Sequence, residues 1–288
     1  MNDNMNIQWY PGHMTKTRRQ MEADLKQVDA VCEIVDARIP VSSRNPDIDS
    51  ICANKPRIII LNRMDLADPA ATKRWITHFK SKGMAAFAAD CKSKKGLSEF
   101  QPAVRSVLKE KIERNAAKGM NRPLRIMIVG IPNVGKSTLI NQISGRKGAK
   151  AENRPGVTRG KQWVTVDSGL LLLDTPGILW PKFEDPEVGM KLAYTGAVKE
   201  NVIDIEELAT YLMSLLWKHY PDTVKTRYKI EAEADTPGYE LLELAGRKRG
   251  FLLSGGEINT ERMARVLLDE YRGGKLGNIT LEEPEETE

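Results

Sequence analysis

The chain has 288 residues, 41% of them apolar, and a formal charge of +5 from 44 Lys and Arg against 39 Asp and Glu. That length accommodates one α/β domain and a smaller second one, and with no apolar run near the roughly 18 residues of a membrane span a membrane-embedded class is excluded. The three cysteines, Cys32, Cys52 and Cys91, follow no metal-ligand spacing and suggest no disulfide framework, which fits a reducing, cytoplasmic setting. Five Glu crowd into 282–288, so the rest of the chain is more basic than the total suggests. A basic body suits a polyanion such as RNA, because Lys and Arg displace counterions from phosphates. The end of the chain, 276–288, reads as a solvated, disordered acidic tail. The N-terminal residues lack the character of a signal or transit peptide.

In chain order, Lys16–Val28 is predicted as an amphipathic helix with Met21, Leu25 and Val28 on one face. Ala30–Val35 is a strand, followed by loop and short helix over Asp36–Asn54. Ile58–Leu61 is a strand that ends in Asn62-Arg63-Met64-Asp65, and Pro69–Lys82 is a helix. The Asp65 carboxylate can accept hydrogen bonds from the N1–H and N2 amino group of guanine, a donor pair that adenine lacks. Asn62 would brace this loop, and Arg63, with Met64 beside it, would cover the base face, since Arg stacks well on rings. A strand over Ala85–Ala89 then delivers Asp90-Cys91-Lys92 and Gly96-Leu97, a second base-contacting loop placed by position more than by side chains. A helix from near Leu97 runs into Lys109–Arg122, a polar, Gly-containing stretch before Pro123 that reads as a linker.

The strand Ile126–Val129 leads into Gly130, four residues, then Gly135-Lys136-Ser137, with a helix over Thr138–Ile143. This is a P-loop: glycines let backbone N–H groups from Asn133, Val134 and Gly135 curl around phosphates, and the helix N-terminus adds partial positive charge. Lys136 would reach the β- and γ-phosphates, Ser137 would ligate Mg²⁺, and Thr138 lies in the same first turn. Asn133 reads equally as a turn residue or as a residue that helps hold K⁺ against the phosphates. In Arg154-Pro155-Gly156-Val157-Thr158-Arg159, Thr158 is the candidate switch threonine for Mg²⁺ and γ-phosphate. Strands over Gln162–Val166 and Leu170–Leu173 precede Asp174-Thr175-Pro176-Gly177. Asp174 would sit near the metal through water, and the Gly177 N–H would meet the γ-phosphate.

The base-reading loops thus precede the P-loop and switches, a circular permutation of the usual GTPase order, with the join at about 109–123. The fold class expected is α/β, a doubly wound, mainly parallel sheet, followed by a small all-helical domain. The domain limits expected are 1–180, with an arm over 1–15, and 186–275. Helices are predicted at Ile205–Tyr220, with Leu208, Tyr211, Leu212, Leu215 and Leu216 inward, at Gly238–Gly246, and at Thr260–Tyr271 with Thr260 as N-cap. Arg247-Lys248-Arg249, beside Arg262, Arg265, Arg272 and Lys275, is balanced between a solvated face and an RNA contact.

The segments Trp9-Tyr10-Pro11-Gly12-His13-Met14, Asp36-Ala37-Arg38-Ile39-Pro40, Ser42-Ser43-Arg44-Asn45-Pro46, NRMD at 62–65, GIPNVGKST at 130–138, PGVTR at 155–159 and DTPG at 174–177 carry a family resemblance. With the permuted order, the chain resembles the YlqF-like circularly permuted GTPases of the ribosome biogenesis GTPase A type. The resemblance implies hydrolysis of GTP to GDP, slow alone and stimulated by ribosomal particles, in maturation of the large ribosomal subunit. The implied partners are rRNA and ribosomal proteins, with no membrane, no DNA and a monomeric chain. In other GTPases a Gln after D-x-x-G orients the attacking water; here Ile178 stands there, so His13 is the catalytic candidate, beside Lys136 and Thr158. The alternative is an RNA-binding scaffold that holds GTP as a structural ligand.

Overall fold

The computed structural model describes residues 14–145, 162–167, 169–175, 185–198 and 204–285. They fall into two compact units. Of the described residues, one takes 14–175 together with 282–285, and the other takes 185–281.

The first unit contains α1 (Met14–Leu25), β1 (Ala30–Asp36), α2 (Ile48–Ile51), β2 (Arg57–Asn62), α3 (Pro69–Ser81), β3 (Ala85–Ala88), α4 (Phe100–Val107), α5 (Lys109–Ala117), β4 (Leu124–Val129), α6 (Lys136–Ser144), β5 (Gln162–Asp167) and β6 (Leu170–Asp174). The strands form one six-stranded sheet in the order β3-β2-β1-β4-β6-β5. All neighbours are parallel except β5, which runs antiparallel to β6 at the edge. Helices cover both faces, so β1 and β2 are apolar along nearly their whole length rather than alternating. Glu33, in the middle of β1, and Asp36, at its end, are the exceptions on that strand. Glu33 is buried, and the guanidinium groups of Arg44 and Arg57 pair with it.

From β1 the chain steps outward to β2 and β3, then returns to lay β4 on the other side of β1. The strand order reverses between β1 and β4, and the crevice outside their carboxyl ends is where such sheets bind ligands. The register puts Asp36 beside Asn62 and Ile128 beside Asp174, so the ends of β1, β2, β4 and β6 open on one edge.

The expected linker is mostly helix. α4 stops at Leu108, and α5 follows at once with no buried residue. Its Lys, Glu and Ala have high intrinsic helix propensity, and Gly119, at φ +64, ends it with the Met120 N–H bonded to the Asn115 carbonyl at 2.9 Å.

The expected disordered tail also needs correction, because residues as far as Glu285 are described. Leu276 and Ile279 are buried in the helical core. The Glu282 carboxylate accepts hydrogen bonds from the N–H groups of Val41 at 2.6 Å and Ser42 at 3.2 Å. Its carbonyl accepts from Trp75 Nε1 at 2.9 Å, and Arg74 makes a two-pronged pair with Glu283 at 2.8 and 2.6 Å. Hydrogen bonds and one ion pair with the first unit therefore engage Glu282 and Glu283, the start of this acidic run.

The second unit contains α7 (Pro186–Tyr194), α8 (Ile205–His219), α9 (Pro221–Tyr228), α10 (Gly238–Lys248) and α11 (Thr260–Arg272). Leu208, Leu212, Leu216, Leu241, Leu267 and Tyr271 form the centre of its core. Tyr211, expected inward, is 37% exposed, while Ala209 and Met213 face in. The N-cap of α11 is Asn259, whose side chain accepts from the Arg262 N–H at 2.9 Å; Thr260 is the first helical residue.

Candidate functional site

The P-loop links β4 to α6, and two of its glycines have no substitute. Gly130 has φ +149, and a Cβ there would lie 2.6 Å from the Ile34 carbonyl oxygen of the neighbouring strand. Gly135 has φ +113, and a Cβ would meet Asn62 Nδ2 at 2.3 Å. Asn133 also has positive φ, +60, tolerable for Asn in a turn. Val134 is buried, and Ser137 and Thr138 are half-buried in the first turn of α6, where free N–H groups and the helix dipole favour an anion.

Lys136 is 8% exposed, and its ammonium donates to the carbonyls of Gly130 at 2.9 Å and Ile131 at 2.7 Å. Burial lowers its pKa to about 8, against the opposing pull of Asp174. Asp174 shows the mirror effect: burial raises its pKa, and Lys136 and the Thr175 N–H offset part of the rise. The Thr175 hydroxyl is tied to the Ile128 carbonyl at 2.6 Å. Asp174 Oδ1 is buried with no hydrogen-bond partner among the described residues. An orphaned carboxylate oxygen at a strand end beside the P-loop lysine suits a water-bridged Mg²⁺. Among the described residues no trio of His, Cys, Asp and Glu could hold a metal alone.

The loop after β2, where base contact is expected, docks directly on the P-loop. Asn62 is buried; its Nδ2 donates to the Val134 carbonyl at 2.7 Å, and its Oδ1 accepts from the Cys91 N–H at 3.0 Å. One amide therefore holds three loops together. Arg63, at φ +61, reaches the Asn133 carbonyl at 2.9 Å. Met64 donates its N–H to the Ala89 carbonyl at 3.2 Å, and Asp65 is exposed at the tip. Asp90 folds the neighbouring loop by accepting from the N–H groups of Lys92 at 2.8 Å and Ser93 at 3.2 Å. Burial alone would raise its pKa; the hydrogen bonds of Ser93 and Lys92 outweigh it and lower the value. The Cys91 thiol is buried, which pushes its pKa up to about 12, so only its backbone can serve a ligand.

Two residues of the D-A-R segment belong to this framework, though the motif reading assigned them no role. Arg38, fully buried, clamps Asp36 through Nε at 2.9 Å and Nη2 at 2.8 Å. Arg63 Nε lies 3.6 Å from the same carboxylate. Burial pushes the Asp36 pKa up, but Arg38 and Arg63 outweigh it and keep the carboxylate ionised. The sequence signal was an Asp and an Arg two residues apart where the mostly apolar β1 ends.

A family model described as 50S ribosome-binding GTPase matches residues 125–229. The chain is 48% identical over 286 residues to the ribosome biogenesis GTPase A of Priestia megaterium, covering 99% of both proteins. This chain belongs to the ribosome biogenesis GTPase A family. A GDP-bound structure of TM YlqF aligns with a TM-score of 0.62 at 28% identity, covering 93% of this chain and 100% of that one. GNP-bound YlqF from T. maritima aligns at 0.60 and 29%, covering 94% and 100%. Family membership makes the protein a GTPase of ribosome biogenesis, with GTP as substrate and GDP as product. The family model starts at Arg125, in β4, the strand that leads into the P-loop.

Asn62 and Asp174 are the last residues of β2 and β6, and Arg63, Met64, Asp65, Asp90, Cys91, Asn133, Val134, Gly135, Lys136, Ser137 and Thr138 lie on loops or a first helical turn at the same carboxyl edge of the sheet. His13, Thr158, Gly177 and Ile178 lie outside the described residues. In the helical unit, several basic residues are engaged internally. Arg249 pairs with buried Glu270 at 3.2 Å, Arg272 donates to the Ala193 carbonyl at 2.7 Å, and Arg262 lies 4.3 Å from the Phe251 ring centroid. Arg247, Lys248 and Lys275 are exposed.

Proposed function

We propose that this protein is a GTP-hydrolysing assembly factor that binds the large ribosomal subunit precursor and promotes its late maturation. The supporting observation is the bonding of Asn62 and Arg63 to the carbonyls of Val134 at 2.7 Å and Asn133 at 2.9 Å. These contacts join the two loops although sequence order has reversed them, which supports a single ligand read by both. The description of the matching family as 50S ribosome-binding and the names of the relatives support the particle.

In this reading Asp65 selects guanine, Arg63 and Met64 cover the base, and the N–H groups of the Asp90–Cys91 loop meet its O6. Backbone N–H groups from Asn133 to Thr138 cradle the phosphates, and Lys136 neutralises charge that develops on the transferred group. Ser137, Thr158 and, through water, Asp174 would hold Mg²⁺, which supplies charge neutralisation on the phosphate oxygens. His13 orients the water that attacks the γ-phosphorus, because Ile178 has no group for that task. Asn133 retains two readings, turn residue and K⁺ contact. Gly177 precedes the helical unit by a short stretch of chain, so γ-phosphate contact there would bias that unit's affinity for the particle.

The test is cosedimentation with large-subunit precursors in GDP and in a non-hydrolysable GTP analogue at matched salt, beside multiple-turnover phosphate release. Tighter binding with the analogue and release stimulated by particles are expected. Equal binding would refute the switch. Absent turnover would favour the scaffold reading, for which Ile178 speaks.

A further inference from the structure

The pole of the sheet opposite the nucleotide edge carries two adjoining cavities that the GTPase cycle does not use. The larger, about 530 Å³, is lined by Lys26, Lys55, Lys111, Arg122 and Arg125, with Asp29 as its only carboxylate. That carboxylate is already engaged by the Lys111 ammonium and by the Arg125 N–H at 2.9 Å. Lys55 donates to the Val28 carbonyl at 2.7 Å. Lys26 and Arg122 form no ion pair among the described residues. Five cations converging on one concave volume leave an excess of positive charge that a solvated convex face would spread out.

The second cavity, about 280 Å³, shares Asn115 and Arg122 with the first. Val104, Ile112, Leu124 and Leu170 give it apolar walls, and Gln101, Asn121 and Asp167 provide polar edges. Its volume lies just below the range of about 300–1,000 Å³ typical of drug-sized ligands, which suits one planar heterocycle rather than a whole nucleotide. Arg125 also stacks over Trp163 at 5.7 Å, and that ring is 36% exposed. Phosphate-seeking cations, an amphiphilic slot with amide edges and an accessible aromatic ring are the parts of a single-stranded nucleic-acid site.

The source of these residues is informative. Lys111, Asn115, Arg122 and Pro123 lie on α5 and the segment before β4, the connection that the permutation adds. Nucleotide binding at the other edge places no demand on its composition.

We propose that this pole is a second binding site, for single-stranded RNA, with backbone phosphates in the basic cavity and one unpaired base in the adjoining slot. The site deepens the proposed function only by adding a contact face for RNA; GTP binding and hydrolysis do not depend on it. The test uses a fluorescein-labelled single-stranded RNA oligonucleotide and the full-length protein with Lys26→Gln and Arg122→Gln combined. Both residues lie outside the GTP site, so GDP affinity should be unchanged. Each lost phosphate contact should lower the salt slope by roughly 0.7, so the pair should weaken RNA binding by on the order of tenfold or more at 0.1 M salt. AMP and inorganic phosphate serve as competitors, and displacement only at millimolar levels is expected for a strand site. Displacement at micromolar levels would overturn RNA as the ligand in favour of a small phosphorylated one. Unchanged affinity and slope in the double variant would overturn the site, while particle-stimulated turnover would leave the assembly function standing. If the variant loses GDP binding through misfolding, photo-crosslinking of 4-thiouridine RNA to the unmodified protein decides. Crosslinks within 101–125 support the site, and crosslinks confined to the helical unit overturn it.

Discussion

Replacing Asn62 by Ala removes one amide that serves three loops. The lost bonds are the donation to Val134 at 2.7 Å and the acceptance from Cys91 at 3.0 Å. A buried N–H and a buried carbonyl are left without partners, and each costs about 1–3 kcal/mol, so the variant should lose roughly 2–6 kcal/mol in all. Part falls on global stability. The rest falls on the nucleotide, because the base-reading and phosphate loops must then be ordered by the ligand itself. With about 1.4 kcal/mol per decade, GDP affinity should drop at least tenfold. Urea unfolding gives the first share and fluorescent-GDP titration the second. Asn62→Asp should rescue little, since its second oxygen would face the Val134 carbonyl. Wild-type stability together with GDP affinity within about twofold, a difference under roughly 0.5 kcal/mol, would refute the coupling of these loops through Asn62.

Other outcomes follow from the same geometry. Asp65→Asn should weaken GDP and favour xanthosine diphosphate, whose C2 carbonyl replaces the amino group that the carboxylate accepts; unchanged base preference in competition would remove Asp65 from base reading. Lys136 has a folded pKa of about 8 against an ordinary value of 10.5. A lysine held down in this way costs stability below the folded value, and the cost is relieved as pH rises from 8 toward 10.5. Phosphate contact favours the protonated form, so GDP binding near pH 9 should take up a proton, and affinity should fall as pH rises through 8. Calorimetry in buffers of different ionisation enthalpy detects the uptake, and its absence would contradict a Lys136–phosphate contact. A chain ending at Leu281 should lose about 2–4 kcal/mol in the first unit, since the N–H groups of Val41 and Ser42 and the Trp75 indole lose their acceptor. The emission of Trp75, only 2% exposed, should shift to the red, and amide exchange at 41–43 should accelerate. Unaltered emission and melting would show that the Glu282 contacts contribute nothing.

Elements whose signal is local were legible in the sequence. β1, β2, β4 and β6 are apolar runs because both faces are buried, and α3 announces itself by Asp68 and Pro69 at its start. The P-loop was legible because its glycines satisfy local backbone demands. What the pattern missed is set by distant partners. Asp36 and Arg38 look like surface polar residues until burial pairs them. Glu282 looks like part of a solvated run until Val41, Ser42 and Trp75 are placed around it. α7 and α9 are short and carry little periodicity, so their caps and tertiary packing define them. Tyr211 sits on the apolar side of α8 by spacing, yet the packed stripe is centred on Leu208, Leu212 and Met213.

The permutation also explains why the site survives reversal of its motifs. Among the described residues, the candidate loops follow β2, β3 and β4 at the same carboxyl edge where β6 ends in Asp174, and the sheet order is fixed by pairing rather than by chain order. Cutting one connection and adding another at the opposite pole therefore leaves the edge intact. The added connection must run from α4 to β4, and it does so as an exposed helix that contributes no core residue. Such a segment is free to vary without cost to the nucleotide site. That it brings Lys111, Asn115 and Arg122 together over a cavity, rather than dispersing them, is what an acquired binding face requires and what a passive linker does not.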